Sequence, residues 1–386
     1  MSELIKTNND TAATRWQLLA SVSAFALLVS PHAAAASDEG KPTVWIELGG
    51  QLERISSPTD PYLPPFTRVT PAPAPFGPVS PAASERAPRY SYGGEGVLVF
   101  TPESSDWVFS VGIRYGRSNG SKHIHQQSVK TQSVVNPKYQ FNPTVYPTPT
   151  VIATAPRFFD SKVTHDESHF VMDFQAGRDV GLGLFGRGGS STFGLGVRAA
   201  EFTYRRHVGL ISRPDPEIYE YKIGFFSLPM TRHNDFFGSA GDRASFHGIG
   251  PSLTWNASAQ IAGNEDQAIT FDWGLNGALL FGRQKAKGSH HETQNYYQQK
   301  YYQTVPPYGV QQIYAPPPAK HDRSRSVVVP NIGGFAGLSY RYQNAKVSFG
   351  YRADMFFGAM DVGIDARRTA DRDFHGPFAR ISIGFP

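Results

Sequence analysis

Residues 269–281, ITFDWGLNGALLF, decide the fold. Their odd positions read Ile269, Phe271, Trp273, Leu275, Gly277, Leu279 and Phe281, and their even positions include Thr270, Asp272, Gly274 and Asn276. An extended chain points successive side chains to opposite faces. The stretch therefore carries one apolar stripe and one face of small or polar groups. Its 13 residues exceed the five or six of an ordinary soluble strand. A strand in a membrane barrel wall needs about 9–11 residues, with one face on lipid and the other on the lumen.

The same period recurs on both sides of this stretch. Trp107, Phe109, Val111, Ile113 and Tyr115 oppose Ser110, Gly112 and Arg114; Val347, Phe349, Tyr351, Ala353, Met355 and Phe357 oppose Lys346, Ser348, Gly350, Arg352 and Asp354. Weaker alternation runs through 44–49, 92–100, 169–174, 193–199, 252–259, 331–341 and 379–385, giving ten candidate strands. The connections alternate in length: 55–89, 118–164, 205–245 and 285–325 are long, while 101–106, 261–267 and 343–345 are short. Short periplasmic turns and longer outer loops produce that rhythm. It places both chain ends on the periplasmic side. The expected fold is all-β, a transmembrane antiparallel up-and-down β-barrel of about ten strands, or twelve if Tyr219–Leu228 adds a hairpin. A soluble sandwich shares the alternation, but strand length, loop rhythm and the N-terminal segment favour the membrane.

That segment places Lys6 and Arg15 before an apolar run from Trp16 to Val29, then Ala33–Ala36 before Ser37, Asp38 and Glu39. This is the order of a secretory signal, with cleavage expected after Ala35 or Ala36. The competing reading, a spanning helix, needs about 20 apolar residues, more than this run offers. The division expected is thus a signal peptide over 1–36 and a barrel domain over 37–386, integral in a bacterial outer membrane. The chain has no cysteine, which excludes disulfides, thiolate metal sites and a cysteine nucleophile. Its net charge of +5 concentrates in no tract, so nucleic acid is not an expected partner.

Several charges fall in phase with the interior. Arg114, Arg198, Arg341, Lys346, Arg352 and Arg380 stand with Glu47, Glu95, Asp173, Asp272 and Asp354. On an open pore wall they would tune ion selectivity; in a narrow barrel they would pair and fill it. Trp107, Tyr115, Tyr340 and Tyr351 suit a headgroup-level aromatic girdle. Other chemistry is thin. GLGLFG at 181–186 lies between strands rather than opening a helix, and reads as a turn rather than a dinucleotide loop. His123 with His125, and His290 with His291, lack fixed partner ligands in the sequence, so neither a metal nor another cofactor is expected. No nucleophile elbow occurs and no catalytic residue is assigned, although Asp235 and His247 would matter if they converged.

The C-terminal part resembles a family. SFHGIGPSLTWNASAQIA (245–262), FDWGLNGALLFG (271–282), GGFAGLSYRY (333–342), FGYRADMFFGAMDVG (349–363) and DFHGPFARISIGF (373–385) look like the pore-forming outer membrane proteins of the Legionella major outer membrane protein type. The sequence departs from the usual aromatic ending by Pro386. The resemblance implies an outer-membrane barrel, pore-forming activity and surface exposure, and brings no catalytic residues. The function expected is a porin-like passive channel for small solutes or ions, with membrane lipid as its surroundings. A non-porous surface barrel whose loops bind a partner is the alternative, and a rim-active barrel enzyme the third.

Overall fold

A computed structural model of the chain describes residues 43–56, 91–103, 105–135, 150–180, 190–214, 216–223, 226–264, 267–298, 309–314 and 317–386. The signal segment at 1–36 and the GLGLFG string lie outside the described residues. Among those residues, no helix is long and apolar enough to cross a membrane.

The chain makes β1 (Val44–Ser56), β2 (Ser91–Phe100), β3 (Trp107–Val135), β4 (Thr150–Asp179), β5 (Ser190–Arg213), β6 (Glu217–Ile223), β7 (Phe226–Gly263), β8 (Gln267–Gln298), β9 (Gly309–Tyr314), β10 (Ala319–Tyr342), β11 (Ala345–Asp361) and β12 (Thr369–Phe385). Ten of these pair antiparallel in the order β1-β2-β3-β4-β5-β7-β8-β10-β11-β12, and β12 pairs with β1. The ring is closed, so its backbone polar groups pair without an exposed edge, as hydrocarbon requires. Among the described residues β6 pairs only with β7 and β9 only with β8. The hairpin expected at Tyr219–Leu228 is therefore present, with Ile223 facing Phe226, but it stands outside the ring.

Register fixes the shape of the wall. From Val44 the cross-strand partners run Phe100, Phe109, Ala176, Leu195, Leu253, Gly277, Ile332, Met355 and Asp373, and return to β1 at Ser56. One circuit therefore climbs from residue 44 to residue 56, a stagger of twelve residues over ten strands. Such a stagger tilts the strands by about 35–45° from the barrel axis.

The outward positions of β8, Ile269, Phe271, Leu275, Leu279 and Phe281, are all exposed, and so are Leu195, Leu253, Ile332, Leu338, Phe349 and Ile381 around the ring. Above Phe281 the outward face of β8 turns to Arg283, Lys285 and Lys287. That change marks the outer edge of the apolar belt. Trp107 and Tyr340 are exposed near the periplasmic side of the belt, Tyr351 is exposed deeper within it, and Tyr115 is half-buried.

The upper wall differs from expectation. Much of 118–164, 205–245 and 285–325 is not loop but strand: β3 has 29 residues, β4 30, β7 38 and β8 32. About 9–11 residues cross the bilayer, so these four strands continue well beyond it. β1 and β2, with 13 and 10 residues, barely clear it. The periplasmic turns are short as expected. The tightest joins Tyr342 to Ala345 through Gln343, whose φ of 51° is the left-handed conformation a two-residue hairpin demands.

Candidate functional site

The inward positions of β8, read from the periplasmic end, give the layers of the lumen: Asp272, Asn276, Leu280, Gln284, then His290, Glu292 and Gln294. Each lies at the level of side chains from the facing strands.

At Asp272, the Lys346 ammonium approaches one carboxylate oxygen to 2.5 Å. The hydroxyls of Ser258 and Ser339 donate to the same carboxylate at 2.6 Å each. Arg341 shares the lumen face of β10 with Ser339 and sits opposite Lys346. Beside this layer Arg380 donates to Glu47 at 2.7 Å and to Glu95 at 3.0 Å, and Arg352 also donates to Glu95. Both guanidinium groups lie over the Phe335 and Phe378 rings, at 5.3–5.9 Å. One level higher, Arg198 grips Asp173 through two hydrogen bonds of 2.6 and 3.1 Å and donates to Asn276 and Asn331. Arg114 pairs with Asp354.

All eleven charges read from the sequence as inward-facing lie on the interior face. The ion pairs among them form three connected groups. Alternate guanidinium and carboxylate groups satisfy one another here, because an unpaired charge in so enclosed a space would be costly. A cavity of about 340 Å³ remains, bordered by Glu47, Ser110, Asp173, Asp272, Lys346, Arg352 and Arg380. A second of about 110 Å³ touches Glu95, Arg114, Arg198 and Asn276.

The next level is apolar, and the sequence reading missed it. Leu280, Phe202, Tyr204, Phe246, Phe356 and Met360 are 0–1 % exposed and pack with Ile55, Val329 and Phe374. Phe202 stacks on Phe246 at 5.7 Å and meets Phe356 edge-on at 4.7 Å. Side chains fill the lumen at this height. Extending the phase of Arg198 by four and six residues along β5 would have found Phe202 and Tyr204.

Buried pairs flank the aromatic side chains, His169 with Glu53 at 3.4 Å and Arg372 with Glu167 at 3.6 Å, and Arg206 with Asp242 at 2.8 Å lies further toward the outer end. The turn 362–368 between β11 and β12 folds inward, and Ile364 packs on Val163, Val208 and Ala240. Arg323 holds that turn, donating to Asp361 and to the carbonyls of Gly363, Ile364 and Asp365.

Other residues considered from the sequence separate. His290 faces inward with Glu292, whereas His291, the next residue on the strand, takes the opposite face. His123 and His125 share the outward face of β3 and both contact Asp160, at 2.9 and 3.0 Å. Asp235 and His247 do not converge: twelve residues of β7 separate them, about 40 Å at ~3.3 Å per residue. Asp235 is held by Arg213 at 2.7 Å.

No protein-family model matches the sequence, and no curated protein gives a significant match. Solved structures that are similar include the TodX ΔS2S3 mutant monoaromatic hydrocarbon channel, at 10 % identity and TM-score 0.20, covering 90 % of this chain and 91 % of that one. The transport unit of the autotransporter AIDA-I from Escherichia coli gives 9 % identity, TM-score 0.22 and coverage of 95 % and 98 %. The Ralstonia pickettii toluene transporter TbuX gives 10 %, 0.22 and 90 % of each chain. Likeness at this level carries no argument about function, and the fold rests on the chain's own strand pairing.

Proposed function

We propose that the chain is an outer-membrane pore-forming protein, a porin-like passive channel for small polar solutes or ions, with no catalytic role. The observation that carries this reading is the charged, cavity-bearing lower lumen inside a closed ring with an apolar belt. A barrel that served only as an anchor would gain nothing from a cavity lined by Arg352, Arg380, Asp173 and Asp272. The family resemblance of residues 245–386 supports the same reading. Conduction requires the aromatic layer to yield, because Phe202, Phe246 and Phe356 close the described conformation.

That layer favours a second reading, a non-porous surface barrel whose tall outer strands bind a partner. Planar-bilayer recording separates the two. The channel reading expects small discrete conductance steps from purified folded protein and larger steps from Phe246→Ala. Arg352→Glu should move the reversal potential toward cation preference. Silence from both the natural chain and folded Phe246→Ala, with folding shown by heat-modifiable gel migration, would establish the second reading instead.

A further inference from the structure

Near the outer mouth, histidines from two neighbouring strands meet at one carboxylate. His290 on β8 brings its Nε2 to 3.0 Å from Asp365 Oδ1, and His321 on β10 brings its Nε2 to 3.3 Å from the same oxygen. The three ligand atoms lie within 4.8 Å of one another, and the two imidazole rings are nearly parallel, 17° apart with centroids 6.1 Å apart. Behind His290, its Nδ1 lies 2.6 Å from Glu292 Oε1, and the Glu292 side chain is only 2 % exposed.

Hydrogen-bond chemistry makes this arrangement informative. An acceptor carboxylate at Nδ1 fixes the proton there, so the Nε2 of a neutral His290 presents a lone pair. That lone pair faces another acceptor, Asp365 Oδ1. Two acceptors at 3.0 Å need a positive charge with them, either the second proton of an imidazolium or a bound metal ion, and the second imidazole nitrogen, His321 Nε2, on the same oxygen gives the metal its ligand set. Nitrogen and oxygen ligands bound tetrahedrally to zinc at 2.0–2.1 Å stand about 3.3 Å apart, close to the two nitrogen–oxygen separations found here. A carboxylate on the far nitrogen of a ligating histidine is the usual outer-shell support of such a site.

We propose that His290 Nε2, His321 Nε2 and Asp365 Oδ1 bind one divalent transition-metal ion of the zinc type, with Glu292 orienting His290. Two imidazoles and one carboxylate suit Zn²⁺, Ni²⁺ or Cu²⁺ rather than Ca²⁺ or Mg²⁺. The sequence concealed the site because its histidines are 31 positions apart and become neighbours only through the β8–β10 register, in which His290 faces Ala319 and Gly288 faces His321. Asp365 comes from the inward turn 362–368. The ion would therefore pin that turn to the β8–β10 wall, beside the Arg323 clamp. This site stands on its own geometry whether or not the barrel conducts.

The test uses the folded full barrel in detergent, stripped with a chelator and titrated calorimetrically with ZnCl₂. One saturable equivalent is expected, insensitive to excess CaCl₂ and weakened more than about a hundredfold in His321→Ala and in Asp365→Asn. Glu292→Gln should weaken it less, within the 10–100-fold range of lost outer-shell partners. His125→Ala, on the outward face, should leave it unchanged. Co²⁺ bound in place of Zn²⁺ should give the visible d–d bands of a four-coordinate site, lost in His321→Ala. Absence of a saturable equivalent in the natural chain would overturn the proposal. So would full retention in His321→Ala, loss in His125→Ala, or equal displacement by Ca²⁺; heat-modifiable migration confirms that each variant is folded.

Discussion

Arg380 on the last strand donates to Glu47 on the first, across 333 residues of sequence and 2.7 Å of space. The pair lies on the lumen side of the β1–β12 seam, where Gly49 faces Arg380 and Glu47 faces Ser382. The same guanidinium reaches Glu95 on β2, which also receives Arg352 from β11. Four strands around the closure are thereby held by two arginines and two glutamates.

Removing one cation from this group leaves carboxylates without their donor in an enclosed space. Arg380→Ala is expected to destabilise the barrel by about 1.5–3 kcal/mol, the range for hydrogen bonds to charged groups. Urea unfolding in lipid vesicles, followed by tryptophan fluorescence, checks it. A midpoint equal to that of the natural chain would show that the seam does not depend on the pair.

The aromatic layer depends on missing side chains as much as on present ones. A Cβ at Gly248 would stand 2.5 Å from Phe246 Cζ. Gly248→Ala should therefore displace the Phe246 ring at a cost of about 1–3 kcal/mol. Phe246→Ala should cost about 3–5 kcal/mol. Combining the two should cost less than their sum, since the alanine methyl then no longer meets the Phe246 ring. Urea midpoints for the two single variants and the double variant measure the coupling.

Barrel closure was legible because lipid and lumen impose opposite demands on alternate residues, as at Ile269–Phe281. The same contrast vanishes above the belt. In 118–132 and 285–298 both faces carry polar groups, so strands such as Ser118–His125 carry no stripe and read as loop. The interior charges were legible from phase alone. Their pairing was not, because Arg114 meets Asp354 across 240 residues and only the register brings them together. Phe356 was hidden for another reason: Met355, Phe356 and Phe357 are all apolar, so alternation disappears where both lipid and lumen faces are greasy.

Asp160 on the outer strand extension has its carboxyl held below the ordinary value of 3.8, first by the hydrogen bond from His125 and then by His123, against slight burial. A depressed carboxylate contributes to the folded state above its unfolded pKa, and the contribution is lost as pH falls through the lower folded value. The window is therefore below pH 3.8. A carbon-13 NMR titration of the Asp160 carboxyl in detergent should give a midpoint below 3.8, rising in His125→Ala. An unmoved midpoint in that variant would remove the histidine as its cause.

Closure of the ring is the claim on which the rest stands, and a chain without cysteine is a clean background for testing it. Leu48 on β1 and Ile381 on β12 face each other on the lipid side of the seam, and both are exposed. Leu48→Cys with Ile381→Cys, oxidised in the folded membrane-bound protein, should form an intramolecular disulfide seen as a shifted band after denaturation without reductant. Ile46→Cys with Leu98→Cys, paired on neighbouring β1 and β2, is the positive control. Efficient cross-linking at both pairs is the result predicted; cross-linking of the control with none at the seam would contradict a closed barrel.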